Sequence, residues 1–257
     1  MRFCLLLVAM MACRDGAGQW TPPEKPDPQA ILTEAREDAD AKRYDVALAK
    51  HIWFFEHALE HRSSLYGVRL SFALSDWREL GEVYPPALDK LKELRDQARK
   101  NVEQEKKVFE SFHDMTAIND HLRDDAMTQE VFAAIDEKKP EEARRLYGIA
   151  KPALVRRKAY KLCGKYLSPK ADLASAQRTF EQLKQFGDKK AGLERDSLLA
   201  SAKQTYTKEV GTLIALLVIN DRRDEAEQIA KTVRAESDDV FLSKALDKAL
   251  KGTVPRP

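Results

Sequence analysis

"WRELGEVY", residues 77–84, is the stretch that decides how this chain is read. Trp77, Leu80, Gly81 and Tyr84 recur at helical spacing. Three of the four are large, and the fourth has no side chain. That combination suits a helix built to pair: the glycine lets a second helix approach closely, while the large residues fill the space between the two. Pro85-Pro86 follows directly and marks the end of the helix.

The neighbouring sequence is helical in both directions. "DPQAILTEAREDADAKRY" (27–44) begins with Asp27 as N-cap and Pro28 at the first helical position, and Ile31, Ala35 and Ala39 form one stripe. "DVALAKHIWFFEHALEH" (45–61) follows, with Leu48, Ile52, Phe55 and Leu59 as its expected core stripe. Two amphipathic helices joined by a tight turn make a helical hairpin. Further helices are predicted near 65–84, 86–106, 108–122, 124–138, 141–150, 152–167, 169–186, 190–206, 208–220, 222–235 and 239–251. Pro140, Lys151-Pro152, Ser168-Pro169, Gly187-Asp188 and Asn220-Asp221 separate several of them. No stretch alternates as a strand does, and the abundance of Ala, Leu, Glu, Lys and Arg favours helix.

Looser versions of a second paired helix, each a polar turn followed by an Ala, occur in "RYDVALAKHIWFFEHALEH" (43–61), "RDDAMTQEVFAAIDEKKP" (123–140) and "RRDEAEQIAKTVRAE" (222–236). With the signature at Trp77, Leu80, Gly81 and Tyr84, the chain resembles tetratricopeptide-like helical repeat proteins across most of residues 28–251, which makes 28–252 a repeat domain. The resemblance implies an all-α fold of stacked antiparallel helical hairpins, a divergent α-solenoid. Such a solenoid offers a concave surface to a peptide or protein partner without needing catalytic residues or a cofactor. Only one segment has the full signature and the period is irregular, so an irregular helical bundle remains the alternative.

The beginning of the chain points to export. In "MRFCLLLVAMMAC" (1–13), Arg2 precedes an apolar run from Phe3 to Met11, too short to span a bilayer as a helix. "AMMAC" resembles the lipobox of bacterial lipoproteins, which makes 1–12 a signal peptide and Cys13 the lipid-bearing residue; Met10 stands where that motif usually has Leu. Cleavage after Gly18 is the alternative. "RDGAGQWTPPEKPDP" (14–28), rich in Gly and Pro, reads as a tether, and 253–257 as a tail. The expected location is the periplasm or an outer-membrane surface. Cys163 would then be the one thiol left, too few for an internal disulfide framework, and it reads as a small buried hydrophobe.

With 44 basic and 42 acidic residues the net charge of +2 gives no reason to expect nucleic acid. Locally the balance differs. Between Ala143 and Ala171 there is no acidic residue, while Arg144, Arg145, Lys151, Arg156, Arg157, Lys158, Lys161, Lys165 and Lys170 are basic. This run is expected either to attract an acidic partner or an anionic membrane surface, or to be an ordinary solvated helix face. Trp53 and Phe54 flank the expected stripe of their helix and either pack on a neighbour or face a groove.

"HALEH" (57–61) has the spacing of an inverted zinc-peptidase motif, with His57 and His61 on one helix face beside Glu60. That face points away from the expected core stripe, and a catalytic zinc needs a third protein ligand that nothing here singles out. The histidines are therefore expected on the surface, and an envelope zinc hydrolase or a structural subunit stands as the alternative to a binding scaffold.

Overall fold

The computed structural model describes residues 20–256, which are all-α and contain no strand. The signal-type segment, Cys13 and the first part of the tether, residues 14–19, lie outside the described residues. The chain divides into two compact units, one ending at Lys92 and one beginning at Glu93.

In the first unit, α1 (Pro28–Asp40) starts as its sequence indicates. The Asp27 carboxylate accepts the Gln29 N–H at 3.0 Å. Pro28 occupies the first turn, where its missing N–H leaves no orphan. The helix packs on α2 (Tyr44–His61) through a tight turn. There Lys42 takes a left-handed φ of 61°. The N–H groups of Lys42 and Arg43 donate to the carbonyls of Ala39 and Asp38, closing the helix end.

The buried face of α2 is rotated one residue from the expected stripe. Ala47, Lys50, His51, Phe54, Phe55 and Ala58 are buried, while Leu48, Ile52 and Leu59 are half-exposed. Two polar residues stand in that buried face, so a purely apolar pattern misplaces it. Both are accommodated. The Lys50 ammonium lies 2.7 Å from Glu34 and 2.8 Å from Asp38, and His51 stacks on Trp77 with ring centroids 5.8 Å apart.

The expected continuous helix over 65–84 is instead a 3-10 turn (Ser63–Leu65), α3 (Tyr66–Leu70) and α4 (Phe72–Val83). The chain breaks at Ser71, whose backbone leaves the helical region. Its hydroxyl donates to the Gly67 carbonyl at 2.7 Å. Local bonds of this kind compete with the helical ladder. On α3, Arg69 is buried and donates to the Phe55 carbonyl at 2.6 Å. Its guanidinium carbon lies 3.8 Å from the centroid of the Phe55 ring, within the range at which a cation is drawn to an aromatic face. Helix α5 (Pro85–Glu103) follows, and the division between the units falls within it.

The second unit contains α6 (Val108–Leu122), α7 (Asp125–Lys138), α8 (Pro140–Arg156), α9 (Tyr160–Gly164), α10 (Pro169–Asp188), α11 (Gly192–Ile219), α12 (Arg223–Glu236) and α13 (Val240–Ala249). Short turns fold α7 onto α8 and α10 onto α11, making two hairpins. Helix α11 runs unbroken for 28 residues where two helices were expected, and every residue from Val210 to Leu217 is buried. A helix apolar on all sides must be surrounded, and α9, α10, α12 and α13 all pack on it.

Helix α8 likewise continues through Pro152, which was expected to end it. Proline forfeits the bond to residue i−4 and crowds its carbonyl. Here residue i−4 is Gly148, and both positions are exposed.

Most helix ends carry no glycine signal. Lys42, Glu105, Arg123, Lys158 and Asp221 all adopt left-handed φ, each just after a helix. Each is followed by an N–H that reaches back into the last turn, as at a glycine C-cap.

Candidate binding cleft

The residues of the Trp77–Tyr84 signature meet as their sizes suggest. Trp77 is buried, donates its indole N–H to the Ala87 carbonyl at 2.9 Å and meets Phe55 edge-on. Leu80 is buried beside it, and Tyr84 stacks on Tyr44 at 5.8 Å. A Cβ at Gly81 would lie 3.0 Å from the Leu88 Cβ and 3.2 Å from the Leu88 backbone nitrogen, so the glycine does admit the first turn of α5 at close range.

The aromatic pair on α2 separates. Phe54 is fully buried in the core. Trp53 is half-buried in a small aromatic shelf: Trp20, from the expected tether, meets it edge-on at 6.4 Å, and the rings of His57 and His61 lie 5.9 and 5.6 Å away. The "HALEH" histidines thus cover a tryptophan, and His57 Nδ1 is also 3.2 Å from a Glu60 carboxylate oxygen. Among the described residues, no three His, Cys, Asp or Glu side chains gather in a way that would hold a metal ion.

The basic run looks different in three dimensions because carboxylates from other helices approach it. The Arg156 guanidinium makes two 2.7 Å bonds to Asp125 and a 2.5 Å bond to Asp120. The pair of bonds to Asp125 is the fork geometry that charge-assisted recognition favours. Lys165 reaches Asp136 at 2.6 Å, and Lys161 bonds the Ile219 carbonyl at 2.9 Å with Asp221 at 3.3 Å. Arg144 and Arg145 each lie 3.6 Å from Glu141 and Glu142, one turn before them on α8. Arg157 donates to Gln129, and Lys158 is exposed at its left-handed turn. The local excess of charge is therefore much reduced, and the members retained in a concave site are Lys151 and Arg156.

That site is a cleft of about 480 Å³ bounded by α8, α10, α11 and the segment after α13. Tyr147 and Leu213 supply apolar wall, Ser175, Thr205 and Thr212 supply hydroxyls, and Lys151, Lys208, Asp172 and Glu209 supply charge of both signs. Gly148 also lines it, bringing the carbonyl that Pro152 leaves without its helical donor. The Tyr147 hydroxyl is buried and has no nitrogen or oxygen partner. Burial, with Cys163 and Asp172 nearby, raises its pKa, so it stays a neutral donor and acceptor. Cys163 sits behind this wall, fully buried, and burial pushes its thiol up to about 11.

The fourth boundary belongs to the segment expected to be a tail, residues 253–257. Helix α13 ends in a turn at Gly252, where φ is 78°. N–H bonds from Gly252 to the Ala249 carbonyl and from Thr253 to the Lys248 carbonyl close it. The chain then lies against α11: Val254 packs on the core, and Pro255 lines the cleft. A Cβ at Gly211 would come within 3.0 Å of the Pro255 ring. The available signal was the lone glycine in "VGTLIALLVI" (210–219), a helix interior where glycine is costly unless another chain segment comes close.

No family model matches this chain, and no curated protein or solved structure matches it either. Among the described residues no helix is long and apolar enough to cross a membrane.

Proposed function

We propose that this chain is a non-enzymatic scaffold that binds a protein or peptide, with its helical hairpins stacked as in a divergent tetratricopeptide-like α-solenoid. The observation that carries the reading is the α8/α10/α11 cleft. It is open, walled by apolar side chains and rimmed by polar groups of both signs, and Pro255, in the non-helical stretch after α13, already lines one side. Such a surface suits extended backbone, whose N–H and C=O groups need both donors and acceptors. The signal-type N-terminus supports placing the scaffold in the bacterial envelope, held to the membrane by lipid on Cys13. The basic residues left on the surface favour a partner with acidic groups.

The test is a photo-activatable cross-linker at Ser175, which is exposed and lines the cleft, in cells carrying either the native chain or Cys13→Ser. A discrete partner captured by the native form, with the Cys13→Ser chain lost from the membrane fraction, is the expected result. Capture of no specific chain, together with turnover of an envelope substrate by the purified protein, would overturn the reading.

A further inference from the structure

The segment after α13 is held closely against α11 and the core. Gly252 reverses the chain at positive φ, and a Cβ there would already meet Ile219 and Val218 of α11 at 3.7 and 3.8 Å. From there the segment runs back along α11 to Gly211. Proline fixes its own φ and pushes the residue before it towards extended backbone. Val254 is therefore set to turn its side chain onto the core while the Pro255 ring enters the notch above Gly211. Proline has no N–H, so pressing it against an apolar helix face strands no donor. Beyond Pro255 the cleft continues, open, with Tyr147 on one of its walls.

We propose that Val254-Pro255 is a built-in occupant of the notch over Gly211 at the edge of this cleft, and that the partner is an extended segment of the same chemistry, an apolar residue followed by proline, which docks over Gly211 when the chain's own segment lifts. This inference rests on the peptide-binding reading above and adds to it the partner's class and its regulation by competition in cis. A tethered segment acts at an effective concentration of millimolar order, so it masks the notch against a weak ligand added from solution.

The test uses the full chain and a chain ended at Gly252, each titrated with a fluorescein-labelled peptide of the sequence Thr253–Pro257 and read by anisotropy. For a peptide of Kd about 0.1 mM, a competitor in cis at about 1 mM, about ten times that Kd, weakens binding in proportion, so the shortened chain is expected to bind about tenfold more tightly than the full chain. Gly211→Leu in the shortened chain, which fills the notch, is expected to abolish binding. Equal binding to the full and shortened chains, no binding to either, or binding indifferent to Gly211→Leu would each overturn the proposal. If the shortened chain melts early, Pro255→Gly in the full chain replaces it, with the same comparison and the same overturning results. The two readings fail separately. Peptide binding to the shortened chain without any partner captured at Ser175 sinks the scaffold alone, whereas a captured partner with no peptide binding sinks only the competition.

Discussion

Gly81→Ala tests the close approach of α4 and α5 in the first unit. The added methyl would sit 3.0 Å from Leu88 Cβ, 3.2 Å from its nitrogen and 3.3 Å from its Cα. Two of those atoms are backbone, so relief requires moving the start of α5 rather than turning one side chain. Overpacking of this kind costs about 1–3 kcal/mol, against a gain of up to about 1 kcal/mol from replacing glycine within a helix. The net expectation is a loss of about 1–2 kcal/mol. Gly67→Ala is the matched control: the same chemical change on α3 meets nothing within 4 Å and should be neutral or mildly stabilising. All three tryptophans, Trp20, Trp53 and Trp77, lie in the first unit, so their fluorescence in a urea titration reports on that unit alone. With a slope of about 1 kcal/mol per molar urea, Gly81→Ala should lower the midpoint by about 1 M or more. A Gly81→Ala midpoint at or above that of the native chain would refute the packing account.

The buried imidazole of His51 makes the first unit sensitive to mild acid. Burial, with Arg36 adding to it, lowers its pKa from 6.5 to about 4. As pH falls through this window the unfolded chain takes up a proton that the native state refuses. Stability should fall by about 3 kcal/mol from pH 7 to pH 4 at about 1.4 kcal/mol per pH unit, and His51→Gln should flatten the profile in thermal melts. Asp38 acts lower on the scale: burial raises its carboxyl, but hydrogen bonds from Lys50 and Arg43 outweigh this and hold it below its ordinary 3.8. Its contribution is present above that value and is lost as pH falls below it. Lys158→Gly, at an exposed left-handed turn, should stabilise the second unit by about 0.5–1 kcal/mol, while Gly252→Ala should destabilise it by a similar amount; circular dichroism melts would show both, and a matching sign for the two would contradict the left-handed assignment. Arg156→Lys keeps the charge but not the planar fork on Asp125, and denaturant titration should show a loss of about 1–2 kcal/mol, an effect that salt at about 0.5 M only partly erases.

Local chemistry in the sequence determined a good deal of this protein. The Asp27-Pro28 start of α1, the helical period nearly throughout and the absence of strand-like alternation are properties of a few neighbouring residues each, and the structure of the described residues agrees with them. The glycine at 81 was legible for the same reason: a gap among large residues on one helix face implies something pressed into the gap, and Leu88 is there.

What only tertiary structure decided are the features whose cause lies far along the chain. The core face of α2 is set by Glu34, Asp38 and Trp77, which accommodate Lys50 and His51, so an apolar stripe read from α2 alone is one residue out. The basic run on α8 and beyond is offset by Asp120, Asp125, Asp136 and Asp221, and no window along the sequence contains both sides of those pairs. Helix ends at Lys42, Glu105, Arg123, Lys158 and Asp221 lack glycine because bonds back into the preceding turn offset the local strain. The cleft itself depends on Pro255 meeting Gly211, two residues 44 positions apart, and contact at that separation is fixed by packing and not by local propensity.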